Sequence, residues 1–193
     1  MIPYGTFTFF LIAFIVLIPV IILGFLGKRS YIYNGISTAI MIVIIFASDK
    51  HNLLGQKYLS AQLFCFIIYV IWQVALIMYY YQSRQKKNTF TKFVTIMVLS
   101  ILPLAIVKIL QSSWLGGHQI HFHESKLIEF VGFLGISYVT FKSVQLIMEI
   151  RDGSIKEIKV GKLIQFISFF PTISSGPIDR YKRFVKDDKK VPS

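Results

Sequence analysis

The chain has 193 residues, of which 54% are hydrophobic and only 16% are Asp, Glu, Lys or Arg, with a formal net charge of +12. A soluble domain carries roughly a quarter of its residues as those charged types, so an ordinary water-soluble enzyme is excluded. The surplus Lys and Arg would suit nucleic acid, but they sit in short clusters between apolar runs, as topology signals and anionic-lipid contacts do. Membrane lipids are therefore expected as partners and nucleic acid is not. The composition predicts an all-α polytopic membrane protein, one unit over 1–193, with about five transmembrane helices plus a re-entrant segment.

The first span is read at 6–26. No Lys or Arg precedes it and Lys28-Arg29 follow, the reverse of a secretory signal, so it is a retained span with an outside N-terminus. Pro19 lies inside it. The second span, 33–48, runs into Asp49-Lys50-His51-Asn52. The third, 58–81, holds Cys65, Trp72 and Gln73 and ends in Tyr79-Tyr80-Tyr81 beside Arg84, Lys86 and Lys87, an interfacial anchor. The lone Cys65 rules out an internal disulfide and reads as a small apolar side chain at lipid depth. The fourth span, 93–110, contains Pro103 and places Lys108 where it can snorkel.

A loop with Trp114, Gly116-Gly117 and three histidines leads to the fifth span, 127–150. Tyr138, Lys142, Gln145 and Glu149 recur there at spacings of four, three and four, which stacks them on one helical face. A lysine within a span must face a bundle interior or a wet cavity. The mixed-charge stretch 151–162 suits the interface. The apolar run 163–170 is too short to cross, and a re-entrant segment is expected at 163–178 before a basic tail, 179–193. The charge balance supports re-entry. With the N-terminus outside, Lys28-Arg29, Arg84 to Lys92 and Arg151 to Lys162 all fall inside, and Lys50, Lys57 and Lys126 outside. Re-entry keeps Arg180, Lys182, Arg183, Lys186, Lys189 and Lys190 inside as well, whereas crossing would nearly equalise the two sides.

Candidate chemistry is sparse. His118, His121, His123 and Glu124 have metal-ligand character but no recognised zinc spacing, and they read as an outside interfacial loop with no metal. No G-x-S-x-G elbow, Walker glycine loop or dinucleotide fingerprint occurs. The Tyr138–Glu149 stripe has two readings: polar glue between helices, with Lys142 paired to a carboxylate elsewhere, or the lining of a substrate path. The run QFISFFPTISSGPIDRY, residues 165–181, breaks an apolar segment with Pro171, Thr172, Ser174, Ser175, Gly176 and Pro177, then turns charged at Asp179 and Arg180. It is either a loop that ends a helix or a re-entrant wall of a cavity, and residue chemistry alone leaves both open.

The wording FFPTISSGPIDRY, residues 169–181, resembles the membrane-bound O-acyltransferase family, in particular its D-alanyl-transferring branch in Gram-positive bacteria. GISYVTFK, residues 135–142, is similar to the family's G-x-S-Y-x-x-F/F-K region. The resemblance covers essentially the whole chain but only the N-terminal part of a family member, so the chain looks truncated. It implies a family-like membrane fold and, in a second half, a catalytic histidine next to a tryptophan. None of His51, His118, His121 or His123 has that context, so no catalytic residue is carried onto this chain and it is expected to be inactive alone.

The resemblance also implies an activity. D-alanine arrives as a thioester on the phosphopantetheine arm of a D-alanyl carrier protein and ends as an ester on lipoteichoic acid outside the cell membrane, in cell-wall biogenesis. No cofactor is bound by the chain itself, and other membrane proteins of the same pathway are conceivable partners. In that scheme the cavity or substrate-path candidates are Tyr138, Lys142, Gln145, Pro171, Ser174, Ser175, Gly176, Pro177, Asp179 and Arg180. Two competing readings are an alginate O-acetylase-like branch of the family and a small multispan transporter or scaffold. A transporter should show inverted repeats, and the sequence has none.

Overall fold

The computed structural model describes residues 7–26, 31–47, 59–86, 89–111, 135–155, 157–169 and 180–190. Its elements there are all α-helical: α1 (Phe7–Phe25), α2 (Tyr31–Ala47), α3 (Leu59–Lys86), α4 (Phe90–Gln111), α5 (Ile136–Arg151), α6 (Val160–Ser168) and α7 (Tyr181–Lys190). Apolar sequence in a bilayer has no other way to satisfy its backbone short of a closed barrel. Pro19 and Pro103 lie inside α1 and α4 without ending them. By length and composition, Leu63–Lys86 within α3 and Phe90–Ile109 within α4 are long and apolar enough to cross a membrane.

Helix bounds differ from expectation in informative places. α3 continues past Tyr81 to Lys86, because Arg84 and Lys86 suit the negative end of the helix dipole. At 28 residues it is about 42 Å long, more than the ~30 Å hydrocarbon core, so its end can stand in the headgroup region. α5 starts only at Ile136, since Gly135 has φ 94°, a left-handed value that a continuing helix does not use. Its 16 residues span about 24 Å. The described residues between α5 and Val160 are not helical, and they bury Ile155 and Ile158 while exposing Glu157 and Lys159. Within the basic tail, Tyr181–Lys190 form a helix, α7.

The described residues fall into two compact units, Met1–Leu63 with Arg183–Ser193, and Phe64–Lys182. In the first, α1 packs on α2, and Ser37, Thr38, Met41 and Ile45 form a buried stripe along α2 at helical spacing. Small hydroxyl residues there allow close helix approach, as in membrane interfaces. Phe7, Phe14 and Phe25 of α1 are exposed, as lipid contact requires. In the second unit, α5 packs on α4 and α6, and this unit holds the candidate site.

Candidate functional site

α5 is the axis of the site. Two of its side chains, Thr140 and Lys142, are fully buried, and being two positions apart they point roughly 200° apart around the helix.

Thr140 joins a neutral network. The Ser100 hydroxyl donates to Gln73 Oε1 (2.8 Å), and Gln73 Nε2 donates both to the Ser100 carbonyl (3.0 Å) and to the Tyr69 hydroxyl (2.8 Å). Tyr69 and Thr140 hydroxyls lie 2.6 Å apart, and Thr140 Oγ1 donates to the Ile136 carbonyl at 2.7 Å. That last bond uses the Thr140 proton, so Tyr69 donates to Thr140. Each proton then has one acceptor, and α3, α4 and α5 are cross-linked without a charge. Buried polar groups in lipid need this satisfaction.

Lys142 is 2% exposed and joins a charged contact. Its ammonium donates to the Phe166 carbonyl at 3.2 Å and lies 5.6 Å from the centroid of the Phe166 ring. Phe166 is in the last turn of α6, where carbonyls lack intrahelical donors and the helix dipole favours a cation. The ring of Tyr181 packs edge-on against Phe166, with centroids 5.4 Å apart and an interplanar angle of 83°. Burial pushes the Tyr181 phenol above the usual tyrosine range, partly offset by a hydrogen bond from the Lys159 backbone and by the nearby Lys162 charge.

The opposite end of α5 meets the basic ends of α3 and α4. Gly153, with φ 73°, closes α5: its N–H donates to the Ile150 carbonyl and the Ser154 N–H to that of Glu149, the paired bonds of a Schellman motif. Arg84 Nε donates to the Arg151 carbonyl at 3.1 Å, and the Arg151 guanidinium stands 4.4 Å from the Phe93 ring centroid and 5.5 Å from that of Phe90. Lys92 donates to Ser83 Oγ at 2.9 Å, tying the α3–α4 turn.

Of the expected site residues, α5 carries Lys142, buried, and Tyr138 and Gln145, each half-buried. Gln145 Oε1 is buried with no hydrogen-bond partner among the described residues. Arg180 is exposed immediately before α7. Pro171, Ser174, Ser175, Gly176, Pro177 and Asp179 lie outside the described residues, as do His118, His121, His123 and Glu124. Among the described residues no group of His, Cys, Asp and Glu could hold a metal ion. Sequence reasoning passed over Tyr69, Ser100, Thr140 and Phe166. The i, i+4 pair Tyr69 and Gln73 inside an apolar helix was the available signal.

No family model matches the chain. It is 47% identical over 192 residues to the teichoic acid D-alanyltransferase of Bacillus subtilis (strain 168), covering 99% of this chain and 45% of the relative. It is 41% identical to that of Lacticaseibacillus rhamnosus, covering 98% and 43%. With that of Streptococcus thermophilus (strain ATCC BAA-250 / LMG 18311) the identity is 32%, covering 99% and 41%. The chain thus spans less than half the length of the relatives it matches.

Proposed function

We propose that this chain, homologous over nearly its whole length to teichoic acid D-alanyltransferase, is the substrate-path part of such an acyltransferase. The identity of 47% across 99% of the chain carries the reading. In the reaction, an acceptor hydroxyl on lipoteichoic acid attacks the thioester carbonyl of D-alanine on a carrier protein's phosphopantetheine. A C–O ester bond forms, the C–S bond breaks, the hydroxyl proton passes to a base and the thiol leaves protonated. By resemblance the base is a histidine outside this chain, which supplies no catalytic residue of its own.

The proposed arrangement has five crossings, at 6–26, 33–48, 58–81, 93–110 and 127–150, the last turning at Gly135, with the N-terminus outside. Residues 163–178 re-enter without crossing, and the tail 179–193 stays cytoplasmic. Two features support re-entry. At nine residues α6 is about 13 Å long, less than half the hydrocarbon thickness. Tyr181, which follows the motif, packs its ring on Phe166 of α6 with centroids 5.4 Å apart, so the chain comes back to the helix it left. Tyr138 and Gln145 from α5, with Pro171 through Arg180, then wall the path, and Gln145 Oε1 is an acceptor still open to a polar group. Lys142 serves the wall by its bond to Phe166.

The test is a graft. This chain replaces the matched part of the Bacillus subtilis relative, and D-alanine ester on teichoic acid is measured in cells lacking the native enzyme. The graft should restore the ester, and the chain alone should not. A graft that inserts stably yet makes no ester would refute the substrate-path role, and transfer by the chain alone would refute catalysis elsewhere. A cysteine at Ser193 should resist an impermeant outside reagent; labelling there would overturn the re-entrant topology.

A further inference from the structure

Both ends of the motif segment are tied to one residue. Where the chain leaves α6, the Phe166 carbonyl takes the Lys142 ammonium at 3.2 Å. Where it enters α7, the Tyr181 ring packs on the Phe166 ring at 5.4 Å. All three side chains are at most 3% exposed. The arrangement answers a local need. The chain leaves helical geometry at Phe169 (φ −57°, ψ 108°), so the carbonyls of the last turn of α6, that of Phe166 among them, have no donor from a continuing helix. A lysine is an expensive residue to bury in a bundle, and an apolar side chain in its place would leave that turn without its charged donor. A contact with the face of the same ring adds a second hold on Phe166.

The geometry points to Lys142 and Tyr181 as a pair of positioning residues that fix the last turn of α6 through Phe166, and with it the two points between which the motif segment is strung. This rests on the reading that the motif segment walls the substrate path. Neither residue touches the reacting atoms. Lys142 supplies a charged hydrogen bond and a cation to the ring face, and Tyr181 supplies the ring edge from the far end of the segment.

The probe is Ser168→Cys, a near-isosteric change at a buried position in the last turn of α6, placed in the graft with Cys65→Ala. Its reaction with a small membrane-permeant maleimide reports release of that turn. Lys142→Met should speed labelling about ten-fold, the factor expected for losing one charge-assisted hydrogen bond. Lys142→Arg, which keeps both the donor and the cation, should stay within about two-fold of the parent. Tyr181→Leu should also speed labelling and, lying outside the spans, covers the case in which Lys142→Met fails to insert. Unchanged labelling in Lys142→Met or Tyr181→Leu overturns the proposal, as does Lys142→Arg behaving like Lys142→Met. D-alanine ester formation is read separately. An inactive parent graft with the expected labelling pattern would sink the transferase reading and leave the positioning pair standing.

Discussion

Two polar knots lie back to back on α5, and they are tied by different physics. On one face Thr140 meets Tyr69, Gln73 and Ser100, where all partners are neutral and every proton has one acceptor. On the other face Lys142 brings a charge to the end of a short helix and two aromatic rings. The neutral knot joins α3, α4 and α5 to one another. The charged knot joins α5 to α6 and to the first residue of α7, the two elements that flank the motif. A membrane protein can hold its helices together with neutral hydrogen bonds alone, so a buried lysine signals a more local task. The comparison predicts that damage to one knot should leave the other intact.

The largest expected effect is at Gln73, the hub of the neutral knot. Gln73→Leu deletes the three bonds that it makes with Tyr69 and Ser100, and at about 0.6 kcal/mol each in a membrane the loss is about 2 kcal/mol. Adding Ser100→Ala should cost less than its effect alone, because the acceptor of its hydroxyl is already gone. Unfolding in detergent by added denaturing surfactant measures both. Ser168→Cys labelling should not change in Gln73→Leu. If it rises, the knots are coupled through α5 and the division drawn above is wrong.

How much of this was legible in the sequence differs between the knots. The helical class and the two long spans followed from the thickness of the bilayer, a constraint that reads straight from apolar run length. Lys142 stood out because a charge in an apolar span needs a reason, but its partner did not. A backbone carbonyl at Phe166 has no sequence signature, and the two readings open to the stripe, a carboxylate partner elsewhere or a substrate path, did not name it. The neutral knot was harder still. Tyr, Thr and Ser are ordinary in spans, and pairing Gln73 with Ser100 and Tyr69 with Thr140 requires knowing how α3, α4 and α5 cross. Residue type alone does not say that Gly135 and Gly153 take positive φ values, which is why each bounds α5.

Gly153 gives a smaller and more selective test. Any other residue at φ 73° is strained by about 1–2 kcal/mol, and a Cβ there would also approach the Arg84 guanidinium to 3.0 Å, a contact a flexible side chain can relieve. Gly153→Ala should therefore cost about 1 kcal/mol in the same unfolding assay. The strained cap redirects the short connection to α6, so Ser168→Cys labelling should quicken while the neutral knot, which excludes α6, keeps its contribution. That last point is checked by repeating Gln73→Leu in the Gly153→Ala background, where the two costs should add.

The finest test uses pH. Burial holds the folded-state Tyr181 phenol above the 10.0 of an ordinary tyrosine, and the Lys159 backbone and the Lys162 charge only partly pull it back. A group whose folded value is raised contributes stability that is fully present below the unfolded value and lost as pH rises through the folded one. In Tyr181→Phe the ring, and with it the edge-on contact to Phe166, is kept while the ionisable hydroxyl is removed. Below about pH 10 the two proteins should therefore differ by a constant offset of about 1 kcal/mol or less, from the lost hydroxyl. Above it the native protein alone should lose further stability, because folding holds back the ionisation that the unfolded chain undergoes freely. Unfolding measured across that range for both proteins cancels every other tyrosine. Parallel curves would mean that the phenol ionises as easily folded as unfolded, which a side chain sealed against Phe166 cannot do.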